Sequence, residues 1–492
     1  MSETAGAFGS IFKREIADPA STARLWWSLV AASLVALICV ATGARILGDP
    51  DTQWHIGIGR QLLATENWPI TDTLSHTFEG QRWIAKEWLS QILLATAFEL
   101  AGWRGVALLT AFALALSAFL IARETARRCG AAWGIAAALM AFTLVASTLV
   151  ARPHVLVFPV VTAWIILCVR GAENGTPPWR ALPLLVLWVN MHAGFTMALV
   201  IAAGMGLEAL VKAPPSRRVT TLFGWGTFGF ASLLATLVSP YGVEPLILNL
   251  KLASGNEAMQ FIGEWQSPKL DARFGIVITL AGFALVALAR DLKANAARII
   301  LLAVLGFVVL RHERFFMTFG LVMPIVAGPA LADLCRRLAS RAGLFQDFTV
   351  PPGMTAPLLV GGFLTASATL IATRSLEPPA TVSAPAALAA VSHELRRKPV
   401  YNSYDLGGFL ILNNVKTFVD GRSDQLFLGG FFTRLVEANK APQPNQLGKL
   451  LDDFRIEWAF VGARKPEAEL FPLLEGWRLL HKDDAAHVYV RR

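Results

Sequence analysis

The stretch LWWSLVAASLVALICVATGARIL, residues 25–47, is an apolar run long enough to cross a membrane as one helix. Hydrocarbon cannot hydrogen-bond bare peptide groups, so a chain crosses it only as helices or as a closed barrel of strands. Lys13, Arg14 and Arg24 precede the run, but it is too long for a signal peptide and lacks a convincing cleavage site. We therefore predict that residues 25–47 form a retained first span.

The composition of the whole chain agrees with a membrane-embedded protein. Of its 492 residues, 54% are hydrophobic and 16% are charged, and the mean hydropathy is +0.51. The basic residues behind the formal net charge of +9 stand in short clusters between apolar runs, which argues against nucleic-acid binding. The four cysteines indicate no disulfide framework. The predicted fold class is an α-helical polytopic membrane protein.

Further apolar runs predict about eleven transmembrane helices in all. One long helix over 181–211 is an alternative, but it would far exceed the ~20 residues that suffice to cross. A break near Asn190 and His192 also places every basic cluster on the N-terminal side, as the positive-inside rule requires. The predicted spans are 25–47, 105–122, 131–150, 155–169, 181–191, 193–211, 220–238, 274–289, 299–310, 315–334 and 356–373. The basic clusters are Arg123/Arg127/Arg128, Arg170/Arg180, Lys212/Arg217/Arg218, Arg290/Lys293/Arg298 and Arg336/Arg337/Arg341.

This topology places the N-terminus on the cytoplasmic side of a bacterial inner membrane and the C-terminus on the periplasmic side. It defines three regions. Residues 1–24 form a cytoplasmic tail, 25–374 a transmembrane domain with a first outer loop at 48–103, and 375–492 a periplasmic domain. Short β-type runs separated by helical or turn segments predict that the last region is a small α/β domain. These runs are 409–412, 417–419, 458–461 and 487–490.

Unusual polar residues collect in the segments that this topology places outside, and the first outer loop holds the catalytic candidates. Asp51 and His55 are four residues apart, so on a helix they share one face and form a plausible proton-handling pair. Glu87 is a further acidic candidate. The alternatives are that Asp49 or Asp51 merely caps the helix, that His55 is an interfacial anchor, and that Glu87 is a solvated charge.

Cationic side chains mark the outer ends of several spans. The planar fork of arginine suits phosphate, so such residues around one cavity would hold a lipid phosphate. The alternative is that each side chain snorkels to lipid headgroups. The candidates for donor phosphate binding are Arg152, His154, Arg311, His312 and Arg314.

Two further pairs are candidates for substrate binding. Asn190 and His192 lie at the predicted helix break, where a water-filled cavity and a tight turn are equally good explanations. Asp420 and Arg422 lie in VDGRSD (419–424), where a pair that holds a turn is the simpler interpretation. The sequence contains no Walker loop, dinucleotide fingerprint, nucleophile elbow or spaced zinc cluster.

The runs DTQWHIGIGRQLL (51–63) and PITDTLSHTFEGQRWIAKEWLSQ (69–91) resemble the first outer loop of a bacterial family of multi-spanning proteins with the glycosyltransferase C (GT-C) fold. The resemblance extends over most of the chain through WVNMHAGF (188–195), SPYG (239–242), EWQSP (264–268), YNSYDLGGFLI (401–411) and VDGRSD. In that fold class a carboxylate at the start of the first outer loop activates or orients the acceptor, and Asp51 matches its position. Adjacent acidic residues are frequent there, whereas this chain has Asp-Pro-Asp-Thr, so the choice between Asp49 and Asp51 stays open.

The resemblance implies an inverting GT-C glycosyltransferase of the cell envelope. It would move a sugar from a polyprenyl-phosphate donor to a lipid, glycan or protein acceptor on the outer face of the membrane. Asp51 would be the base, and Arg152 and Arg311 would clamp the phosphate. The sequence establishes no cofactor. The carboxylates suit a divalent metal cation, but they do not form a complete set of metal ligands.

Two other functions compete with this interpretation. A lipid or saccharide transporter also has broken helices and intramembrane polar residues, but it is expected to carry polar residues on both faces. A non-catalytic envelope assembly protein would use its outer domain for binding alone.

Overall fold

The computed structural model describes residues 18–253, 260–341, 353–440 and 444–492, so most of the predicted tail at 1–24 lies outside the described residues. A bundle of helices is followed by a small sheet with short helices. The longer helices of the bundle are α1 (Pro19–Ala41), α2 (Asp51–Thr65), α3 (Trp88–Cys129), α4 (Ala131–Leu144), α5 (Phe158–Asn174), α6 (Leu182–Met191), α7 (Thr196–Lys212), α8 (Arg218–Ala235), α9 (Glu244–Ala253), α10 (Ala272–Ala289), α11 (Leu292–Arg311), α12 (Phe316–Arg341) and α13 (Thr355–Thr373).

Seven helices in the described residues are long and apolar enough to cross a membrane. Shorter apolar helices, Ala131–Leu144 and Trp179–Met191, occupy two further predicted spans. The predicted break is present, because α6 ends at Met191 and α7 begins at Thr196. The polytopic helical fold is therefore confirmed, and the number of spans stays a prediction.

Basic residues from separate predicted clusters meet at one end of the bundle. Arg128 Nη1 lies 2.6 Å from Glu173 Oε1, and Arg298 Nη2 lies 3.0 Å from the same oxygen and 2.9 Å from Glu208 Oε1. Arg298 and Glu208 are buried, so each satisfies the charge of the other. Arg298 is near the start of α11 and Arg311 ends it, so the length of this helix separates the ion cluster from the outer candidates.

The predicted first outer loop is itself structured, since α2 packs along the first half of α3. Gly59 permits this approach, because a Cβ at this position would lie 2.0 Å from the carbonyl oxygen of Gln91. The chain bends at Ala101 and Gly102, where Gly102 has a φ of 57°, and continues as the apolar half of α3. The loop is thus a pair of packed helices at one end of the bundle.

The C-terminal region contains a four-stranded mixed sheet with the order β1-β2-β4-β3. Strand β1 pairs in parallel with β2, and β2 and β3 both pair antiparallel with β4. The strands are β1 (Val400–Asn402), β2 (Trp458–Gly462), β3 (Trp477–Lys482) and β4 (Ala486–Arg491). The short helices around them are Pro385–Ala389, Gly407–Leu412, Phe431–Ala438, Pro444–Asp453 and Glu467–Leu470.

The small α/β domain is confirmed, but two of its four predicted strands are wrong. Strands β2 and β4 cover the runs at 458–461 and 487–490. The run at 409–412 is helical, and at 417–419 only Thr417 forms a single bridge, to Ser75. A short apolar run fits a buried helix as well as a buried strand, which explains the first error. Strand β1 was too short to recognise, and β3 is too exposed to show an alternating pattern.

The first outer loop and the C-terminal domain share one hydrophobic core. Trp54, Ile58 and Leu62 of α2 are buried with Tyr401 and Phe418 of the domain. Removal of this apolar surface from water holds the domain against the loop and fixes the wall that both contribute to the cavity described next.

Candidate active site

A cavity of about 380 Å³ lies where one end of the helix bundle meets the C-terminal domain. Its wall is assembled from segments far apart in sequence, and polar and ionisable side chains dominate it. The contributing segments lie within 49–55, 83–91, 147–154, 262–265, 313–317 and 421–425, together with positions 192 and 404.

Asp51 and Arg152 form the central ion pair of this cavity. Arg152 Nη2 lies 2.6 Å from Asp51 Oδ2, and Arg152 Nη1 lies 3.5 Å from Asp49 Oδ2. Asp49 also accepts a hydrogen bond from the Asp51 backbone N–H at 2.9 Å, so it satisfies a free donor at the start of α2. Asp49 thus has a capping contact, whereas Asp51 presents its carboxylate to the cavity as the first residue of the helix.

The environment of Asp51 favours its neutral form. Burial raises the pKa of its carboxyl, Arg152 opposes this rise and the charge of Asp49 adds to it, so that the pKa is about 7. A carboxylate with a pKa near neutrality suits a general base, because it is partly ionised and still binds a proton well.

Glu264 and Arg314 extend the charged wall. Glu264 Oε2 lies 3.4 Å from Arg152 Nη1, and its Oε1 lies 3.8 Å from Arg314 Nη1. Arg314 stacks over the Trp265 ring at 4.0 Å from the centroid. Burial raises the pKa of Glu264, but the two arginines outweigh it and lower that pKa to about 2. Glu264 is therefore a fixed anion between two guanidinium groups.

Sequence reasoning missed Glu264 and Lys86. Glu264 begins the run EWQSP (264–268), and a single loop glutamate has no spacing signature. Lys86 forms an ion pair with Asp424, and burial lowers its pKa to about 8. Neither residue is near its partner in sequence, so no local pattern reveals these contacts.

Glu87 also lines the cavity, and its carboxylate lies between two imidazoles. Its Oε2 is 3.8 Å from His55 Nε2, its Oε1 is 3.6 Å from His192 Nε2, and Oε1 accepts a hydrogen bond from the Ala193 N–H at 3.2 Å. Burial lowers the pKa of His55 and of His192, so both rings are neutral at pH 7. His192 Nδ1 accepts from the Gly194 N–H at 3.0 Å, which leaves Nε2 as the N–H that faces Glu87.

His154 completes this wall. Its Nε2 lies 2.6 Å from the Thr148 carbonyl oxygen, so this nitrogen carries the proton. Burial lowers its pKa to about 4, and its ring centroid lies 6.0 Å from that of His192. Of the predicted site residues, the structure brings together seven at the cavity: Asp51, His55, Glu87, Arg152, His154, His192 and Arg314.

Three predicted residues near the outer helix ends do not line the cavity. Asn190 Oδ1 accepts from Trp88 Nε1 at 2.7 Å, and its amide donates to the Val238 carbonyl oxygen at 2.8 Å, so it holds neighbouring segments together. Arg311 is exposed at the end of α11, with its guanidinium over the Phe307 ring. His312 Nδ1 donates to the Trp265 carbonyl oxygen at 2.7 Å, which supports the wall from behind.

Asp420 and Arg422 are fully buried beneath the cavity wall. Arg422 Nε and Nη2 contact the two Asp420 carboxylate oxygens at 2.8 and 2.7 Å, and Nη1 binds Asp72 of the first outer loop. No surface of this trio faces the cavity, so the substrate contact predicted for the pair is replaced by a structural one. The pair joins the loop to the domain and holds the VDGRSD turn, in which Gly421 and Ser423 do reach the cavity.

The cavity residues do not form a metal site as they stand. In the described part of the chain, no group of three or more His, Cys, Asp or Glu side chains is arranged to hold a metal ion. Asp49, Asp51 and Glu264 come closest in chemistry, but all three point at the Arg152 guanidinium. A divalent cation among these oxygens would have to displace Arg152.

The fold and the cavity define the class as a multi-spanning membrane protein with the GT-C fold. The chain is similar to the Archaeoglobus fulgidus oligosaccharyltransferase tethered to an acceptor peptide, with a TM-score of 0.56 and 12% identity over 94% of this chain and 74% of that one. It is also similar to ArnT from Cupriavidus metallidurans bound to undecaprenyl phosphate, with a TM-score of 0.50 and 15% identity over 94% and 97% of the two chains. No protein-family model matches the sequence, and no curated protein does.

Proposed function

We propose that the protein is an inverting glycosyltransferase that moves a sugar from a polyprenyl-phosphate donor to a lipid, glycan or protein acceptor. The observation that carries the proposal is the contact between Asp51 and Arg152 in a cavity that Arg314 also lines. A carboxylate beside two guanidinium groups is what transfer from a phosphate ester requires, namely a proton acceptor and charges that stabilise the leaving phosphate.

The donor phosphate is bound by Arg152 and Arg314. Both guanidinium groups contact Glu264, so they already face one anionic position at the cavity wall. A phosphate there forms charge-assisted hydrogen bonds, which are stronger than neutral ones. Arg311, predicted from the sequence as a clamp, is exposed and does not line the cavity, so Arg314 takes its place in this proposal.

The acceptor is activated by Asp51. The hydroxyl or amide group of the acceptor attacks the anomeric carbon of the donor sugar. A new bond to this carbon forms as the bond from the carbon to the phosphate oxygen breaks. The electron pair leaves with the polyprenyl phosphate, and the acceptor proton passes to Asp51. A single attack of this kind inverts the anomeric centre through an oxocarbenium-like transition state.

Glu87 and its imidazoles orient the reacting groups. His55 and His192 are neutral, so they donate or accept hydrogen bonds without adding charge near the arginines. Gln91 Nε2 lies 3.2 Å from His55 Nδ1 and fixes that ring. These residues serve as positioning groups for the sugar or the acceptor.

Two comparisons support the choice of substrates. The ArnT structure holds undecaprenyl phosphate, and the oligosaccharyltransferase structure holds an acceptor peptide with an NVT sequon. We base the donor class, a polyprenyl phosphate, on the ArnT structure. The acceptor class stays open among lipid, glycan and protein. We place the protein in a bacterial inner membrane, with the N-terminus in the cytoplasm and residues 375–492 in the periplasm.

The test compares purified wild-type protein with Asp51→Asn and with the matched control Asp333→Asn. Asp333 is half exposed on α12 and, within the described part of the chain, forms an ion pair with Arg337 of its own helix, so its loss costs about 0.5 kcal/mol or less. Each sample receives radiolabelled polyprenyl-phosphate sugars and a panel of acceptors. We expect transfer by the wild type and Asp333→Asn, and a loss of about 100-fold or more in folded Asp51→Asn. A wild type that binds a donor but never transfers its sugar would favour the transport or assembly functions.

A further inference from the structure

Three carboxylates from separate segments converge on the guanidinium of Arg152. Its nitrogens lie 2.6 Å from Asp51 Oδ2, 3.5 Å from Asp49 Oδ2 and 3.4 Å from Glu264 Oε2. Asp49 and Asp51 come from the loop before α2 and from its first turn, and Glu264 comes from a turn more than 200 residues away in sequence. The side chains of Arg152, Asp49 and Asp51 are 22%, 16% and 10% exposed and are therefore largely withdrawn from water, whereas that of Glu264 is 36% exposed.

Oxygen atoms of this type are the ligands that Mg²⁺ and Mn²⁺ prefer, at about 2.0–2.2 Å and with several carboxylates or waters around each ion. The guanidinium fills the space between these oxygens and repels a second cation. When all three carboxylates are ionised, Asp49, Asp51 and Glu264 bring three negative charges, and Arg152 and Arg314 bring two positive ones. The cluster is nearly balanced while Arg152 is present.

We propose that Arg152 is the built-in cation of this site, so that the chain needs no divalent metal, and that the three carboxylates are a latent metal site which Arg152 occupies. The first part rests on the proposed function, because it assigns to Arg152 the task of holding the departing phosphate. The second part is independent of any activity, since it concerns only what the carboxylates bind once the guanidinium is removed.

The physical reason is charge balance in a confined space. Replacing Arg152 by alanine leaves two excess negative charges and empties the volume between the carboxylates. Buried carboxylates in such proximity must take up protons or a cation, because desolvated like charges are strongly unfavourable. A divalent ion restores the charge in the volume that the guanidinium leaves, where each of the three carboxylates faced Arg152.

The test measures Mn²⁺ binding by the detergent-purified protein without any substrate. Free Mn²⁺ is followed by electron paramagnetic resonance, and thermal unfolding is recorded with and without the ion. The samples are wild type, Arg152→Ala, Arg152→Gln, and Arg152→Ala/Asp51→Asn. We expect one Mn²⁺ site and a Mn²⁺-dependent rise in Tm for Arg152→Ala, with Mn²⁺ binding at least about tenfold weaker in the wild type and in the double variant. Arg152→Gln keeps much of the side-chain volume and should bind Mn²⁺ less well than Arg152→Ala.

Two results would overturn the proposal. One is wild-type Mn²⁺ binding that Asp51→Asn abolishes, because the carboxylates would then hold a metal beside Arg152. The other is a folded Arg152→Ala or Arg152→Gln that binds no more Mn²⁺ than the wild type. If the wild type transfers a sugar, its rate should be unchanged by EDTA, and a loss that Mn²⁺ restores contradicts the metal-independent part. Absence of transfer leaves the Mn²⁺ measurements fully interpretable, so failure of the proposed function is recognised separately.

Discussion

Gly421 of the C-terminal domain lies directly against Asp51 of the first outer loop. A Cβ at Gly421 would stand 1.8 Å from Asp51 Oδ1 and 2.7 Å from Trp54 Nε1. The domain therefore touches the proposed base itself and acts as part of the active-site wall. This contact explains why glycine occupies the centre of the VDGRSD turn.

Gly421→Ala should impair transfer by about 100-fold, because the new methyl group must push Asp51 away from its position and errors of about 1 Å cost this much. Overpacking should also lower the free energy of unfolding by about 1–3 kcal/mol. Gly361→Ala is the control, since a Cβ at Gly361 meets nothing within 4 Å in the described part of the chain other than its own helix. Radiolabel transfer and thermal unfolding measure the two effects. Unaltered transfer by Gly421→Ala would show that Asp51 need not stay in its observed position.

The pH dependence of transfer should have an acid limb near pH 7. The Asp51 pKa is raised to about 7, so the ionised base is present above this pH and is lost as the pH falls through it. Asp49→Asn removes a charge that raises this pKa and should move the limb to lower pH. Profiles of kcat/KM between about pH 5 and pH 9 test both statements. A limb that moves to higher pH in Asp49→Asn, or does not move, contradicts the assignment of Asp51.

Arg314→Ala should weaken binding of polyprenyl phosphate by roughly tenfold to 100-fold, because it removes a charged hydrogen-bond donor from a buried site. Arg311→Ala is a matched control, three residues earlier and exposed outside the cavity. A titration monitored by intrinsic fluorescence gives the Kd of each variant. Equal weakening by the two substitutions would mean that lipid headgroups and not the cavity hold the phosphate.

Arg422→Ala should destabilise the protein by about 3–5 kcal/mol, because it leaves Asp72 and Asp420 buried without their shared cation. Arg434→Ala breaks a half-exposed pair with Asp453 and should cost about 1 kcal/mol or less. Denaturant unfolding in detergent gives both values. If the two substitutions lower the free energy of unfolding by similar amounts, Asp72, Asp420 and Arg422 do not hold the loop to the domain.

The proposed topology predicts different labelling of two thiols in intact cells. Lys449→Cys places a thiol on an exposed helix of the C-terminal domain, whereas the native Cys335 is exposed near the last basic cluster. A membrane-impermeant maleimide should label Lys449→Cys from outside and should reach Cys335 only after lysis. Labelling of Cys335 in intact cells, or protection of Lys449→Cys, would contradict the membrane sides assigned to these residues.

Much of the architecture could be predicted from local patterns. The break in WVNMHAGF and the small α/β domain both appear in the structure. The prediction of a strand at 409–412 was wrong because a four-residue apolar run is too short to show a helical or strand periodicity. In the structure a helix begins at Gly407 and includes this run. The sequence favoured Arg311 over Arg314 as a phosphate clamp, but Arg314 lines the cavity and Arg311 does not, since the turn after α11 decides which of them faces it.

The sequence by itself determined that this chain is a membrane protein, where it breaks its helices and which of its segments are polar. Lipid imposes these features locally, because each crossing needs about 20 apolar residues whatever the rest of the chain does. The tertiary structure alone decided that Asp49, Asp51, Arg152 and Glu264 share one site and that Asp420 and Arg422 are buried away from it. These positions depend on how the first outer loop and the C-terminal domain pack into a common core. The periodicity of the sequence does not indicate which distant charged residues this packing brings into contact.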